Sequence, residues 1–318
     1  MRLVYYGTPS IAVPPLLRLI QDGQKPLLVV TRRDRPKGRG LKSGPSPVRV
    51  AAEAGGIPVV TPARAGAPEE IERLRRLEPD LLVLVAYGAI LSPELLSVPK
   101  LGAINVHFSL LPRYRGASPV QAAILAGETE TGVTTMWMTE GLDEGPTFLR
   151  EPTPIGPSEN AGSLSDRLAE IGAHCLSETL DRIRRGEIQR HPQDAAGATY
   201  APKLTSEDAR LDLGGDAAAF VRRVRAFAPE PGAYVELDRE RLQVLEATPG
   251  EPDAAGPSVL GTVRALDRAR GLQVELSRGT VWLKTVKPSG RRAMSALDYA
   301  NGARLVPGAR LPLREPSA

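Results

Sequence analysis

The 318 residues are 42% hydrophobic and 25% charged, the balance of a folded globular protein rather than a fibre or a disordered tail. A net charge of +4 permits an anionic partner but is too mild to identify one. The lone cysteine, Cys175, excludes an internal disulfide framework and a cysteine-based zinc site, and it fits a reducing, cytoplasmic compartment. The length favours two domains. The first residues run into a strand pattern rather than a signal peptide, and no apolar stretch reaches membrane-spanning length, so a protein with no membrane partner is expected.

Short apolar runs recur at residues 3–6, 27–30, 57–60, 81–86 and 103–108, separated by segments with helical spacing. That rhythm predicts a parallel α/β sheet. The run at 81–86 is apolar at every position, as a central strand covered on both faces requires. Residues 11–20 read as a helix, with Pro14 and Pro15 tolerated only in its first turn. A further strand is predicted at 132–138 and a long amphipathic helix at 164–185, its basic residues near the C-terminal dipole and Gly186 stopping it.

From 189 to 210 the period is lost and Pro192, Gly197 and Pro202 appear, which marks a linker. The expected division is a first domain over 1–189, a linker over 190–207 and a second domain over 208–318. The latter opens with a helix over 217–227. Five short alternating runs follow, at 234–237, 242–247, 261–265, 271–276 and 280–286, and they predict a small β-barrel.

Asn105, His107 and Ser109 alternate at the end of the 103–108 strand, so their side chains share one side and can converge on a ligand. Ligands of open α/β sheets sit at carboxyl ends of strands, and the Leu110–Leu111–Pro112 turn exposes backbone groups there. Gly141–Leu142–Asp143 follows a later strand and offers a carboxylate that can fix the tautomer of His107. Taken singly, Asn105 and His107 are equally compatible with satisfied polar groups at a strand end, and an aspartate after glycine is more often an ordinary turn. No cluster has metal-ligand spacing, and no metal is expected.

The segment Asn105-Val-His-Phe-Ser-Leu-Leu-Pro-Arg-Tyr-Arg-Gly116, with Gly141-Leu142-Asp143, resembles the folate-dependent formyltransferases. Further segments narrow the resemblance to the branch acting on methionyl-tRNA: Asp34-Arg-Pro-Lys-Gly-Arg-Gly40, Tyr200-Ala-Pro-Lys-Leu204, Arg225-Ala-Phe227, Pro231-Gly-Ala-Tyr234 and Lys287-Pro-Ser-Gly-Arg-Arg-Ala-Met-Ser295. They occur in order along essentially the whole chain. The resemblance implies a Rossmann-like N-terminal sheet followed by an OB-like β-barrel. It also implies formyl transfer from 10-formyltetrahydrofolate to the α-amine of methionine on initiator tRNA.

On that resemblance Asn105 donates to the developing oxyanion, His107 is a second donor or proton-transfer group, and Asp143 is its charge partner and a possible base. The folate is expected along Ser109, Leu110, Leu111 and Pro112, with Tyr87 and Gly88 lining the same pocket. Arg35, Lys37, Arg39 and Lys42, in a basic loop after the second strand, are expected to meet tRNA phosphates, with Arg39 foremost. A monomer is expected.

The chain departs from the family pattern at Phe108, where glycine is usual, and at Glu144 and Pro146. Rival readings include formyltransferases acting on glycinamide ribonucleotide or sugar nucleotides, a folate-hydrolysing domain, and a noncatalytic RNA-binding module. A dinucleotide-dependent dehydrogenase is disfavoured because Gly7-Thr8-Pro9 lacks the glycine pattern for a pyrophosphate.

Overall fold

A computed structural model describes residues 1–33, 36–37, 42–238, 240–251 and 259–314. In chain order the first part comprises β1 (Leu3–Gly7), α1 (Val13–Gln21), β2 (Leu28–Val30), β3 (Pro36–Lys37), β4 (Lys42–Ser43), α2 (Pro47–Ala54), β5 (Val59–Val60), α3 (Pro68–Leu77) and β6 (Leu81–Val85). It continues with α4 (Pro93–Leu96), β7 (Ala103–His107), β8 (Arg115–Gly116), α5 (Pro119–Ala126), β9 (Glu130–Trp137), β10 (Thr147–Pro154), α6 (Ala161–Arg184) and β11 (Tyr200–Ala201). Then follow α7 (Ala217–Phe227), β12 (Ala233–Glu236), β13 (Arg241–Pro249), β14 (Val263–Asp267), β15 (Gly271–Glu275), β16 (Thr280–Pro288), β17 (Met294–Ser295) and α8 (Ala296–Gly302).

Helices repeatedly begin on proline. Pro47, Pro68 and Pro93 take positions in first turns, where a missing N–H costs nothing and the fixed φ suits the helix. Pro14 and Pro15 likewise fall at the start of α1, as the sequence requires. Ser46 caps α2 by accepting from the Arg49 amide, and Asp216 caps α7 through the Ala219 amide.

Strand order in the main sheet is β10-β9-β7-β6-β1-β2-β5. β1, β2, β5, β6 and β7 are mutually parallel. The expectation of a parallel sheet needs one correction: β9 runs antiparallel to β7, and β10 antiparallel to β9. β10 has no counterpart among the predicted strands. Arg150, Glu151, Pro152 and Pro154 break its alternation, a composition that suits a strand at the sheet edge, where proline forgoes no inner ladder bond.

Every residue of β1 and β6 is buried, so both faces of the central sheet are covered. On one face Val4, Tyr6, Leu82 and Leu84 pack with Ile71 and Leu74 of α3. Each such aliphatic side chain contributes roughly 1.5–3 kcal/mol. Val106 of β7 and Phe108 just after it meet α6 at Gly172, where an added Cβ would lie 3.1 Å from Val106 Cγ1 and 3.2 Å from Phe108 Cε1. Phe108 is thus core packing, and the helix can lie this close because residue 172 has no side chain.

The chain divides into two compact units, one of residues 1–119, 130–154 and 165–203, the other of 120–129, 155–164 and 204–318. The five strands predicted in the second half are all present, joined antiparallel in the order β12-β13-β16-β15-β14, with β17 added beside β16. Among the described residues β12 and β14 do not pair with each other, so the sheet is not closed by main-chain hydrogen bonds. The α7 helix has the predicted bounds.

Candidate active site

β7 lies between β6 and β9 and carries Asn105 and His107. Their alternation puts both against one carboxylate, that of Asp143. Asn105 Nδ2 stands 3.4 Å from Asp143 Oδ1, the long edge of hydrogen-bonding range, and His107 Nδ1 is 3.6 Å from Asp143 Oδ2. Asp143 Oδ2 also accepts the Gly116 amide at 2.8 Å. The His107 side chain is 5% exposed and that of Asp143 12%, so the pair is largely withdrawn from water.

The tautomer of His107 follows from its other neighbour. Nε2 is 2.9 Å from the Tyr114 carbonyl, which can only accept, so Nε2 carries a proton and Nδ1 faces Asp143. Tyr114 is held in turn: its amide donates to Thr199 Oγ1 at 2.8 Å, and the Arg115 amide donates to the Thr199 carbonyl. Asp143 has φ +50, a left-handed conformation that an aspartate adopts at a cost and that its surroundings must hold.

Ser109 does not join the cluster. It is fully buried and its hydroxyl donates to the Arg113 carbonyl at 2.6 Å, closing the 109–113 turn. Leu111 is also buried, and its amide donates to Thr134 Oγ1. Leu110 and Pro112 are half-buried. Tyr87 lines a cleft of about 750 Å³ together with Arg32, Arg33, Arg64, Ile90, Leu91 and Glu140, whereas residues 109–112 do not line it. Arg32 donates to the Gly88 carbonyl at 2.6 Å, fixing the turn after β6. Burial, reinforced by the nearby Glu70 carboxylate, pushes the Tyr87 phenol up to about 12, so it stays neutral and able to donate. Ile90, 82% exposed, presents an aliphatic surface at this cleft.

Of the basic loop, Arg35 and Arg39 lie outside the described residues. The backbones of Lys37 and Lys42 pair in register between β3 and β4. Sequence reading missed Ile90, Leu91, Gln193 and Thr199. The last two fall in the aperiodic stretch taken for a linker, where no pattern marks them.

Residues 1–180 match the model of the formyl transferase family, and residues 203–304 match that of the formyl transferase C-terminal domain. The chain belongs to the formyl transferase family. Among its relatives, a methionyl-tRNA formyltransferase from Halorhodospira halophila is 48% identical over 309 residues, 96% of this chain and 98% of the relative. Another from Citrifermentans bemidjiense is 45% identical over 317 residues, 100% and 98% of the two chains. The solved N-formyltransferase from Helicobacter canadensis has a TM-score of 0.64 at 18% identity, covering 89% of this chain and 98% of its own. HypX from Aquifex aeolicus in complex with tetrahydrofolic acid has a TM-score of 0.63 at 17% identity, covering 94% of this chain; this chain spans about half, 47%, of HypX. At such identities the two structures speak for the fold alone.

Proposed function

We infer that this chain transfers the formyl group of 10-formyltetrahydrofolate to the α-amino group of methionine on initiator methionyl-tRNA, giving N-formylmethionyl-tRNA for translation initiation. The observation that carries the reading is near-full-length identity of 48% to a methionyl-tRNA formyltransferase, spanning both family segments.

In this acyl transfer the amine attacks the formyl carbon, charge builds on the formyl oxygen, and a proton leaves the nitrogen. Asn105, loosely engaged by Asp143, is the proposed donor to that oxygen. With Nε2 of His107 committed to Tyr114, Nδ1 is the ring nitrogen left to face the reacting groups. Asp143 is the proposed acceptor of the amine proton, with His107 Nδ1 standing 3.6 Å from its Oδ2 as a second polar group beside the reaction. No strong base is needed, because an α-amine has a pKa of roughly 7.7–8.0 and an ester lowers it further.

Folate, when bound, would supply the activated formyl group; the bond between the formyl carbon and N10 breaks, and N10 takes up the proton that the attacking amine gives to Asp143. The cleft beside Tyr87 and Gly88 is its proposed seat, with Ile90 and Leu91 as an apolar wall for a flat heterocycle. The 109–112 turn, which does not line that cleft, is the proposed contact for another part of the folate, through the half-buried side chains of Leu110 and Pro112 and the backbone of Ser109 and Leu111. The proposed division of labour puts the chemistry in 1–189 and acceptor binding in 208–318, an OB-like domain, with 190–207 joining them in sequence. Arg35, Lys37, Arg39 and Lys42 are the proposed contacts to tRNA phosphates. A cytoplasmic monomer completes the reading. Among the described residues, no helix is long and apolar enough to cross a membrane.

The test is direct: the protein is incubated with 10-formyltetrahydrofolate and either methionyl initiator tRNA or uncharged tRNA. Formylmethionine forms only in the first mixture. Asn105→Ala is expected to lower the single-turnover rate about 100- to 1,000-fold, the usual weight of an oxyanion donor. A near-normal rate in that variant refutes its role.

A further inference from the structure

We propose that Gln193 is a positioning residue for the transfer, locking the loop that carries Asp143; the proposal rests on the role of Asp143 inferred above. Gln193 Nε2 donates to the Asp143 carbonyl at 2.8 Å and to the Gly145 carbonyl at 2.7 Å. Its Oε1 accepts from Arg115 Nε at 3.1 Å and Arg115 Nη2 at 2.8 Å. Two carbonyls can only accept and a guanidinium can only donate, so the amide has a single workable orientation. A carboxamide supplies both functions at once.

Each partner has reason to need it. Arg115 is 5% exposed, and a buried guanidinium is costly unless its N–H groups are bonded. Asp143 sits at φ +50, so its backbone must be held if the side chain is to keep its aim. Pinning the carbonyls of 143 and 145 fixes the backbone on both sides of Glu144. The Asp143 carboxylate then stays on the Gly116 amide, beside His107. Arg115 and Gly116 are neighbours on β8, so Gln193 ties the loop at one residue to the strand that the carboxylate engages at the next.

A merely structural clamp and a positioning residue differ in what happens once Asp143 is gone. The experiment measures single-turnover formylation, KM for both substrates and the melting temperature for Gln193→Glu and Gln193→Met, in the otherwise unaltered enzyme and with Asp143→Ala. Gln193→Glu keeps an acceptor for Arg115 but turns an oxygen toward the two carbonyls. The expected result is a loss of about 10- to 100-fold in rate with KM values within about twofold, shrinking to less than about threefold when Asp143 is already alanine, since residues acting as one unit are not additive. Equal losses in both backgrounds, or an undiminished rate in both Gln193 variants, overturn the proposal. An undiminished rate in Asp143→Ala alone removes instead the reading of Asp143 on which the proposal stands.

Discussion

Gly116→Ala probes the site through the backbone rather than through a catalytic side chain. Residue 116 has φ +118, and an added Cβ would lie 2.6 Å from the Ala201 carbonyl oxygen and 3.3 Å from its carbon. The alanine must therefore either push β8 from β11 or rotate to negative φ. The left-handed strain costs about 1–2 kcal/mol, and relieving the backbone clash adds about 1–3 kcal/mol. At about 2–4 °C per kcal/mol for a body of this size, the melting temperature should fall by roughly 4–20 °C. Either movement also displaces the Gly116 amide from Asp143 Oδ2, now 2.8 Å away. A hydrogen bond to a charged group contributes about 1.5–3 kcal/mol, so the rate should fall roughly 10- to 150-fold. Thermal melts and single-turnover formylation, run well below the midpoint, measure both effects. Gly186→Ala is the control: it has φ +82 with nothing within 4 Å of the added carbon, so it should lower stability through strain alone and leave the rate intact. A Gly116→Ala enzyme with the unaltered rate would refute the claim that this amide aims the carboxylate.

Two further outcomes are expected. Glu70 is buried and its pKa is raised, chiefly by desolvation, against the lowering effect of bonds from the Gly66 amide and the Tyr6 hydroxyl. A raised folded pKa means the native state holds the proton more tightly; that stability is present below the unfolded pKa and is lost as pH rises through the folded one. Glu70→Gln should therefore gain melting temperature relative to the unaltered protein as pH goes from acid to neutral, and a difference independent of pH contradicts it. Arg39→Ala should weaken use of charged tRNA more than about tenfold and reduce the salt slope by about 1, leaving the folate KM within about twofold; equal losses for both substrates refute a tRNA role.

Most of the architecture was legible where one physical signal dominated. β6 is apolar throughout because both faces are covered, and α7 shows a helical stripe opened by an aspartate cap. The five strands of the second half alternate regularly, and all five form. β10 escaped because an edge strand tolerates proline and charge, which erases its period. Asn105, His107 and Asp143 were legible as a motif, but the company they keep was not. Gln193 lies 50 residues from Asp143 and 78 from Arg115, and hydrogen bonds over such separations leave no spacing to read. The side chain of Ser109 does not join Asn105 and His107 because period-2 alternation stops at His107, where the strand ends and the hydroxyl turns back to close a turn.

β11, only two residues long, lies parallel to β8 and supplies the Ala201 carbonyl that receives the Ala117 and Ser118 amides. This bears on recombination between relatives. A chimera whose crossover falls between α6 and β11 would mate the Asp143 loop of one parent with the Gln193 and Thr199 of the other, and would inherit any mismatch between them. A crossover after Lys203 keeps these partners from a single parent, so the useful seam lies there rather than where the amino-acid pattern first becomes irregular.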